Sequence, residues 1–414
     1  MKIIRPDEEA HVQTVAPGGG TRLACALLAA CLAAPGAAAP YVPESNDAVL
    51  LEVAPSDDAA IARLRQLREA TRHAPDNVRL VSQFARAAIE HARATADPRW
   101  LGYAESALGA WNGRDTVPAE IRMLRATIAQ NRHRFDSALA ELDAVIATDP
   151  DHLQARVTRA VIHTVKARYD AAIADCEAAA DDNALLLATC TGAARSLRGD
   201  AEAALAALDR RLADGAGDPG LRLWALSVAA EIAARLGHED AGARYRRALA
   251  APGAETDQPL RVAFADFLLD AGRPQEAMRV LAPFAQAEDA RLRLLRARKQ
   301  LMAAGERDDR DAWARERRAL EARFDAVRAR GGEDHYRERA YAALFLDEAP
   351  GRAVWLAAQN WRELKEPLDA RLLLASAGAA GDAAAAAPVL DWMQRFDVQD
   401  VRLRALAAAL KDPS

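Results

Sequence analysis

From residue 59 onward the apolar positions follow a single rhythm. Alanine and leucine recur at three- and four-residue intervals through stretches such as RFDSALAELDAVI (134–146) and RYDAAIADCEAAA (168–180), the spacing that lays one apolar stripe along a helix. No sustained apolar–polar alternation of the kind a half-buried strand needs is present. The pattern predicts helices throughout, separated by short polar breaks and stopped where Pro or Gly cannot continue them, as at Ala74-Pro75, Asp149-Pro150-Asp151 and Gly331-Gly332. Residues 59–77 read as a lone helix, and 78–94 with 99–111 as a first, irregular helical pair.

The two quoted stretches are thirty-four residues apart, Phe135 matching Tyr169. Laying 119–152 over 153–186 also pairs Arg125 with Arg159, Ala126 with Ala160, Arg134 with Arg168, Asp136 with Asp170, Ala138 with Ala172 and Leu139 with Ile173. Each unit holds two helical segments around a polar break, with a small residue in each (Ala126 and Ala138; Ala160 and Ala172) where the helices approach, and an aromatic at the turn. Weaker copies follow at 199–208, 236–249 and 271–281, their second helices marked by Ala204, Ala241 and Ala277. After about residue 287 the match fades. Residues 307–330 form a charged helix with Trp313, Leu320 and Phe324 on one face. Two further pairs lie around 351–364 and 385–396. A last helix near 401–410 carries Arg402 and Arg404, with Lys411 beyond, a polar end suited to closing a helical array.

In period, small-residue positions, turn aromatic and closing Asp-Pro, residues 119–186 resemble the tetratricopeptide repeat family. The resemblance implies an all-α fold: a right-handed superhelical solenoid of antiparallel helix pairs. Its expected divisions are a signal peptide (1–38), an extended arm (39–57), repeats (58–287) and divergent repeats with capping helices (288–413). It also implies that first helices line an inner face that binds a partner segment. Here that face presents Met123, Thr127, Gln130 and Asn131, then Gln154, Val157, Val161 and Thr164, a mixture suited to an extended peptide. The family's grip on a C-terminal carboxylate is not expected, because Met123, Thr127, Thr158, Leu186 and Cys190 stand where its basic and amide groups belong.

Composition narrows the partners. Lys and Arg total 55 against 60 for Asp and Glu, a net charge of −5, which leaves no excess to neutralise a phosphate backbone, so nucleic acid is not expected. The run LACALLAACLAAPGAAAP (23–40) is too short and broken for a bilayer span and ends in small residues, as export signals do. Cleavage near Ala38 makes the protein periplasmic; the alternative is a lipoprotein anchored at Cys31. Cleavage also leaves Cys176 and Cys190 as the remaining cysteines, either a disulfide or two buried thiols.

No phosphate loop, nucleophile elbow or helical His pair is present, and neither metal nor cofactor is expected. His163, set among Val161, Ile162 and Val165, reads as a satisfied structural histidine. The expected function is a non-enzymatic protein-interaction scaffold of the bacterial cell envelope. The alternatives are an envelope enzyme with its site within 288–346, around Trp313, Phe324, His335 and Tyr336, and an accessory subunit of a membrane transport or secretion complex.

Overall fold

A computed structural model describes residues 58–410 apart from 96, 181–182, 216, 307–308 and 330–334. The expected signal, arm and lipid-anchor site, and Lys411, lie outside the described residues. Those residues belong to one compact unit. Among them are twenty α-helices, four short 3-10 segments and no strand, and no helix is long and apolar enough to cross a membrane. The fold is an all-α array of antiparallel helix pairs.

The helices are α1 (Ala59–His73), α2 (Val78–Thr95), α3 (Arg99–Leu108), α4 (Ala119–Asn131), α5 (Phe135–Thr148), α6 (Leu153–Val165), α7 (Tyr169–Ala180), α8 (Ala184–Arg195), α9 (Ala201–Ala213) and α10 (Pro219–Leu236). There follow α11 (Ala241–Leu249), α12 (Gln258–Asp270), α13 (Pro274–Leu281), α14 (Glu288–Ala303), α15 (Arg310–Ala329), α16 (Tyr336–Phe345), α17 (Pro350–Glu363), α18 (Pro367–Ala380), α19 (Ala387–Arg395) and α20 (Val401–Ala409). In the two regular repeats, Ala126, Ala138, Ala160 and Ala172 are buried at the crossings of α4 with α5 and α6 with α7. Only a methyl separates the backbones there, which is why these positions are small.

The turn inside each pair carries the repeat further than its side chains do. His133 and Ala167 are left-handed (φ 52° and 53°), and the residue after each donates its N–H to a carbonyl five residues back, Arg134 to Ala129 and Arg168 to His163, both at 2.8 Å. That bond satisfies carbonyls the ending helix would otherwise orphan. The same bond closes the later turns, Asp200 to Arg195, His238 to Ala233, Arg273 to Leu268, Glu306 to Leu301, Asp382 to Ala377 and Val398 to Met393. Five of those six turns have Gly at the left-handed position, where a β-carbon costs about 1–2 kcal/mol. Helical pairing thus continues beyond residue 287, through Gly305 and Gly381.

A second repeated device is ionic. Glu141 accepts from Arg122 (2.8 Å) and Arg125 (3.3 Å). Thirty-four residues on, buried Asp175 accepts from Arg156 (3.3 Å) and Arg159 (2.6 and 2.8 Å). Cys176 is bridged to Cys190, joining α7 to α8 with a Cα separation of 5.6 Å, so the free-thiol alternative is not the one found.

The last helices depart from expectation. They do not stand at an open end; they lie against the middle of the chain. Trp392 Nε1 donates to Tyr169 Oη at 3.0 Å, Phe396 meets the Tyr169 ring edge-on at 4.8 Å, Ala201 N–H donates to Gln399 Oε1 at 2.9 Å, and Val401 covers Gly237. Arg402, expected to be a solvated cap residue, reaches inward to Asp270. Between α17 and α18 the chain is extended at Leu364 and Glu366. Lys365 N–H donates to the Val165 carbonyl at 2.9 Å, and Leu364 is buried in the cluster of Ala126, Ala129, Phe135 and Ile162. The closure that the sequence pattern assigned to a terminus is made against α4, α6, α7, α9 and α10.

Candidate functional site

Folding the C-terminal helices onto first helices encloses space. A cavity of 330 Å³ is walled by α10, α12, α14, α16, α18 and α20, and a second, of 210 Å³, lies between α6, α8, α10 and the start of α18. The larger one is lined by arginines and carboxylates. Fully buried Arg293 donates to both oxygens of Asp266 (2.8–3.2 Å) and to Asp289 (3.0 Å), and lies 4.3 Å over the Tyr341 ring. Burial alone would raise Asp266, but the Arg293 guanidinium reverses that and holds the carboxyl below its ordinary range. Arg337 donates to Asp369 (2.6 and 2.7 Å) and to Glu366; Asp369 also accepts from Asn360 at 2.7 Å.

Other groups there are incompletely paired. Arg371 and Arg402 both reach Asp270 Oδ2, at 2.5 and 3.5 Å, while Oδ1 takes Arg296 at 2.9 Å. One carboxylate thus serves three guanidinium groups. The Nε atoms of Arg371 and Arg402 have no hydrogen-bond partner, the latter lying 3.8 Å from Asp400 Oδ1. Burial, then repulsion from Arg371, lowers the Arg402 pKa from its ordinary value. Arg235 is 6 % exposed and donates to Ser196 Oγ at 2.7 Å, but its Nε has no partner and no carboxylate pairs with it. Glu231, one turn earlier, is raised above the usual carboxylate range by burial, an effect Arg235 only partly offsets.

The residues expected to bind a partner are distributed differently. Met123 packs on the cluster that holds Leu364, and Val161 and Thr164 line the 210 Å³ cavity. Thr127 and Thr164 donate to the carbonyls of Met123 and Ala160, Asn131 to that of Thr127, and Gln154 to Thr158 Oγ1. Threonine on a helix back-bonds one turn down, so these hydroxyls are spent within their own helix. Gln130 and Val157 are half-buried. His163 is not fully satisfied: Nε2 is 4.0 Å from Asp175, Nδ1 has no partner, and burial lowers its pKa.

The aromatic residues expected to frame an enzyme pocket do not converge. Trp313 borders an open 670 Å³ cleft with Lys299 and Glu348; Phe324 is buried under His335 at 5.6 Å; Tyr336 meets Trp355 at 6.0 Å. Nearby, ligand atoms of Glu288, His335 and Glu338 lie within 4.8 Å of one another, close enough to hold a metal ion. Glu288, however, already takes His335 Nδ1 at 3.0 Å and Arg323 at 3.4 Å.

Sequence reasoning missed Glu231, Arg235, Arg371 and Arg402 as site residues. A signal existed for the first two: they are the sole charges in WALSVAAEIAARL (224–236), one turn apart in a stretch otherwise apolar apart from Ser227.

No protein-family model matches the chain, and no curated protein matches it. Among solved structures, a tetratricopeptide repeat protein from Parabacteroides merdae is similar over 70 % of this chain and 98 % of its own, at 13 % identity and a TM-score of 0.34. A likeness at that level carries no argument; the helical-repeat character rests on the helices and turns described above.

Proposed function

We propose that the chain is a non-enzymatic, tetratricopeptide-like interaction scaffold, exported to the periplasm and working in the bacterial cell envelope. The observation that supports this reading is the segment 364–366. It lies extended against the first helices and donates its Lys365 N–H to the Val165 carbonyl at the end of α6, so this face already holds an extended segment of chain. A partner segment occupies the part of the face this strap leaves open, toward the start of α6. Leu153 there is 47 % exposed, beside Gln154 and half-buried Val157.

The test is crosslinking of the tagged mature protein in its own envelope, followed by binding measurements with the protein recovered. Replacing Leu153 and Gln154 together by Ala is expected to weaken that binding about tenfold with helicity unchanged, because exposed groups serve recognition more than folding. Unchanged affinity moves the site off this face. Retrieval of no envelope protein removes the scaffold reading.

A further inference from the structure

The two cavities share Glu231, Arg235, Glu366 and Pro367 as lining residues. On one side of this junction the walls are charged. On the other they are apolar, formed chiefly by Val161, Val165, Leu197, Trp224 and Val228. Arg235 lines both cavities, nine-tenths buried, with an unpartnered Nε and no paired carboxylate. A guanidinium removed from water without a counter-charge is costly, and breaking or omitting a partner commonly costs several kcal/mol. An anion arriving at the junction relieves that cost. The surroundings do not supply one: Asp270 is shared among three arginines, Asp266 is committed to Arg293, and Glu366 is committed to Arg337. Glu231, one turn before Arg235 on the same helix and raised above the usual carboxylate range by burial, makes no ion pair with it.

We infer that the joined cavities bind a small single-chain amphiphile, its oxyanion head, carboxylate or phosphate, on Arg235 and its alkyl chain along Trp224, Val228 and Leu197. Charge-assisted hydrogen bonds from the guanidinium fix the head, and the apolar wall removes the chain from water. The apolar side, at 210 Å³, is below the usual range for drug-sized ligands, which points to one chain of medium length. Nothing in this inference depends on the scaffold reading, since Arg235, Trp224, Val228 and Leu197 are not among the residues assigned to the partner face.

The test is titration calorimetry on the mature chain with decanoate, decyl phosphate, decanol and inorganic phosphate, repeated on Arg235→Met and Val228→Trp. Decanoate or decyl phosphate is expected to bind, the tighter of the two identifying the head. Decanol and inorganic phosphate are expected to bind at least about tenfold more weakly, the size of one charge-assisted bond or a few buried methylenes. Arg235→Met is expected to lose at least about tenfold in affinity while the ligand-free protein melts no lower than wild type, because Met removes an uncompensated buried charge. A merely structural arginine would instead lower the melting point. Val228→Trp is expected to abolish binding by filling the apolar side. Equal affinity for decanol and decanoate, unchanged affinity in either variant, or no binding of either anionic amphiphile overturns the inference. Partner crosslinking, unaffected by these substitutions, keeps the two readings separable.

Discussion

The regular repeats, α4 to α7, and the interior where α12, α14, α16, α18 and α20 meet are held together by different chemistry. In the repeats, methyl and leucine side chains fill the crossings and one ion-pair device recurs in register, Arg122 and Arg125 on half-buried Glu141, Arg156 and Arg159 on buried Asp175. In the interior, guanidinium groups from successive helices interlock with carboxylates: Arg293 with buried Asp266, Arg337 with buried Asp369, and, toward the surface, Arg371 and Arg402 with exposed Asp270. Apolar burial is non-directional and stabilises any well-filled arrangement. Buried ion pairs are near break-even against apolar replacements of the same volume, yet costly when one partner is missing. The repeats therefore supply stability, and the interior supplies a penalty against any other way of returning the C-terminal helices.

The sharpest way to break this contrast is to remove one interior partner. Asp266→Ala leaves Arg293, 2 % exposed, with Asp289 alone as a carboxylate partner, and is expected to cost about 3–5 kcal/mol in urea unfolding. The paired change Asp266→Leu with Arg293→Met is expected to recover most of that loss, because it removes both charges and keeps the volume. A cost under about 1 kcal/mol for the single change would mean that water reaches Arg293 and that the interior is not the selective element described here.

The two regions also differ in how much of them could be read from sequence. Small residues at fixed spacing are a consequence of close helix contact, so Ala126, Ala138, Ala160 and Ala172 revealed the repeats directly. The later pairs also cross on buried alanines such as Ala343, Ala353 and Ala377, but not at the thirty-four-residue spacing that marks the first two. A feature most of them share is a backbone bond, visible in sequence as a Gly before a polar residue in Gly305-Glu306 and Gly381-Asp382 but not in Asp397-Val398. The return of α19 and α20 onto α7, α9 and α10 had no such mark. Trp392 and Tyr169 are 223 positions apart, and an aromatic on an apolar helix face looks the same whether it meets its neighbour or a distant helix. Interior arginines such as Arg371 and Arg402 look like surface charges for the same reason: a one-dimensional pattern records which face a residue is on, not what lies opposite it.

On the repeat side the comparison is sharpened by overfilling. Ala160 is 1 % exposed at the crossing of α6 and α7. Ala160→Leu forces its methylenes into a packed seam, with an expected loss of about 1–3 kcal/mol. The same side chain lines the 210 Å³ cavity at its margin, so a loss at the low end indicates that the extra volume turns into that space. No change in melting temperature would contradict the register assigned to the two regular repeats.

The smallest effect separates two carboxyls at the 330 Å³ cavity, buried Asp266 and half-buried Glu231. Asp266, held below its ordinary range, contributes stability that is present above the ordinary carboxylate pKa and lost as pH falls through its lowered value. Glu231, raised above the ordinary 4.5, behaves in the opposite sense. As pH rises from 4.5 toward its raised value, the unfolded chain gives up this proton first and the folded protein retains it; the folded state then holds more protons, so stability falls with rising pH. Glu231→Gln keeps the shape and removes the titration. The variant is expected to match wild type in urea midpoint at about pH 4 and to exceed it modestly at about pH 8. Equal destabilisation at both pH values would show the carboxyl acting as a hydrogen-bonded neutral group throughout. Destabilisation at the higher pH alone would make Glu231 the ionised counter-charge of Arg235, and the interior would then be a closed set of ion pairs like the one around Asp175, with no place left for an anion.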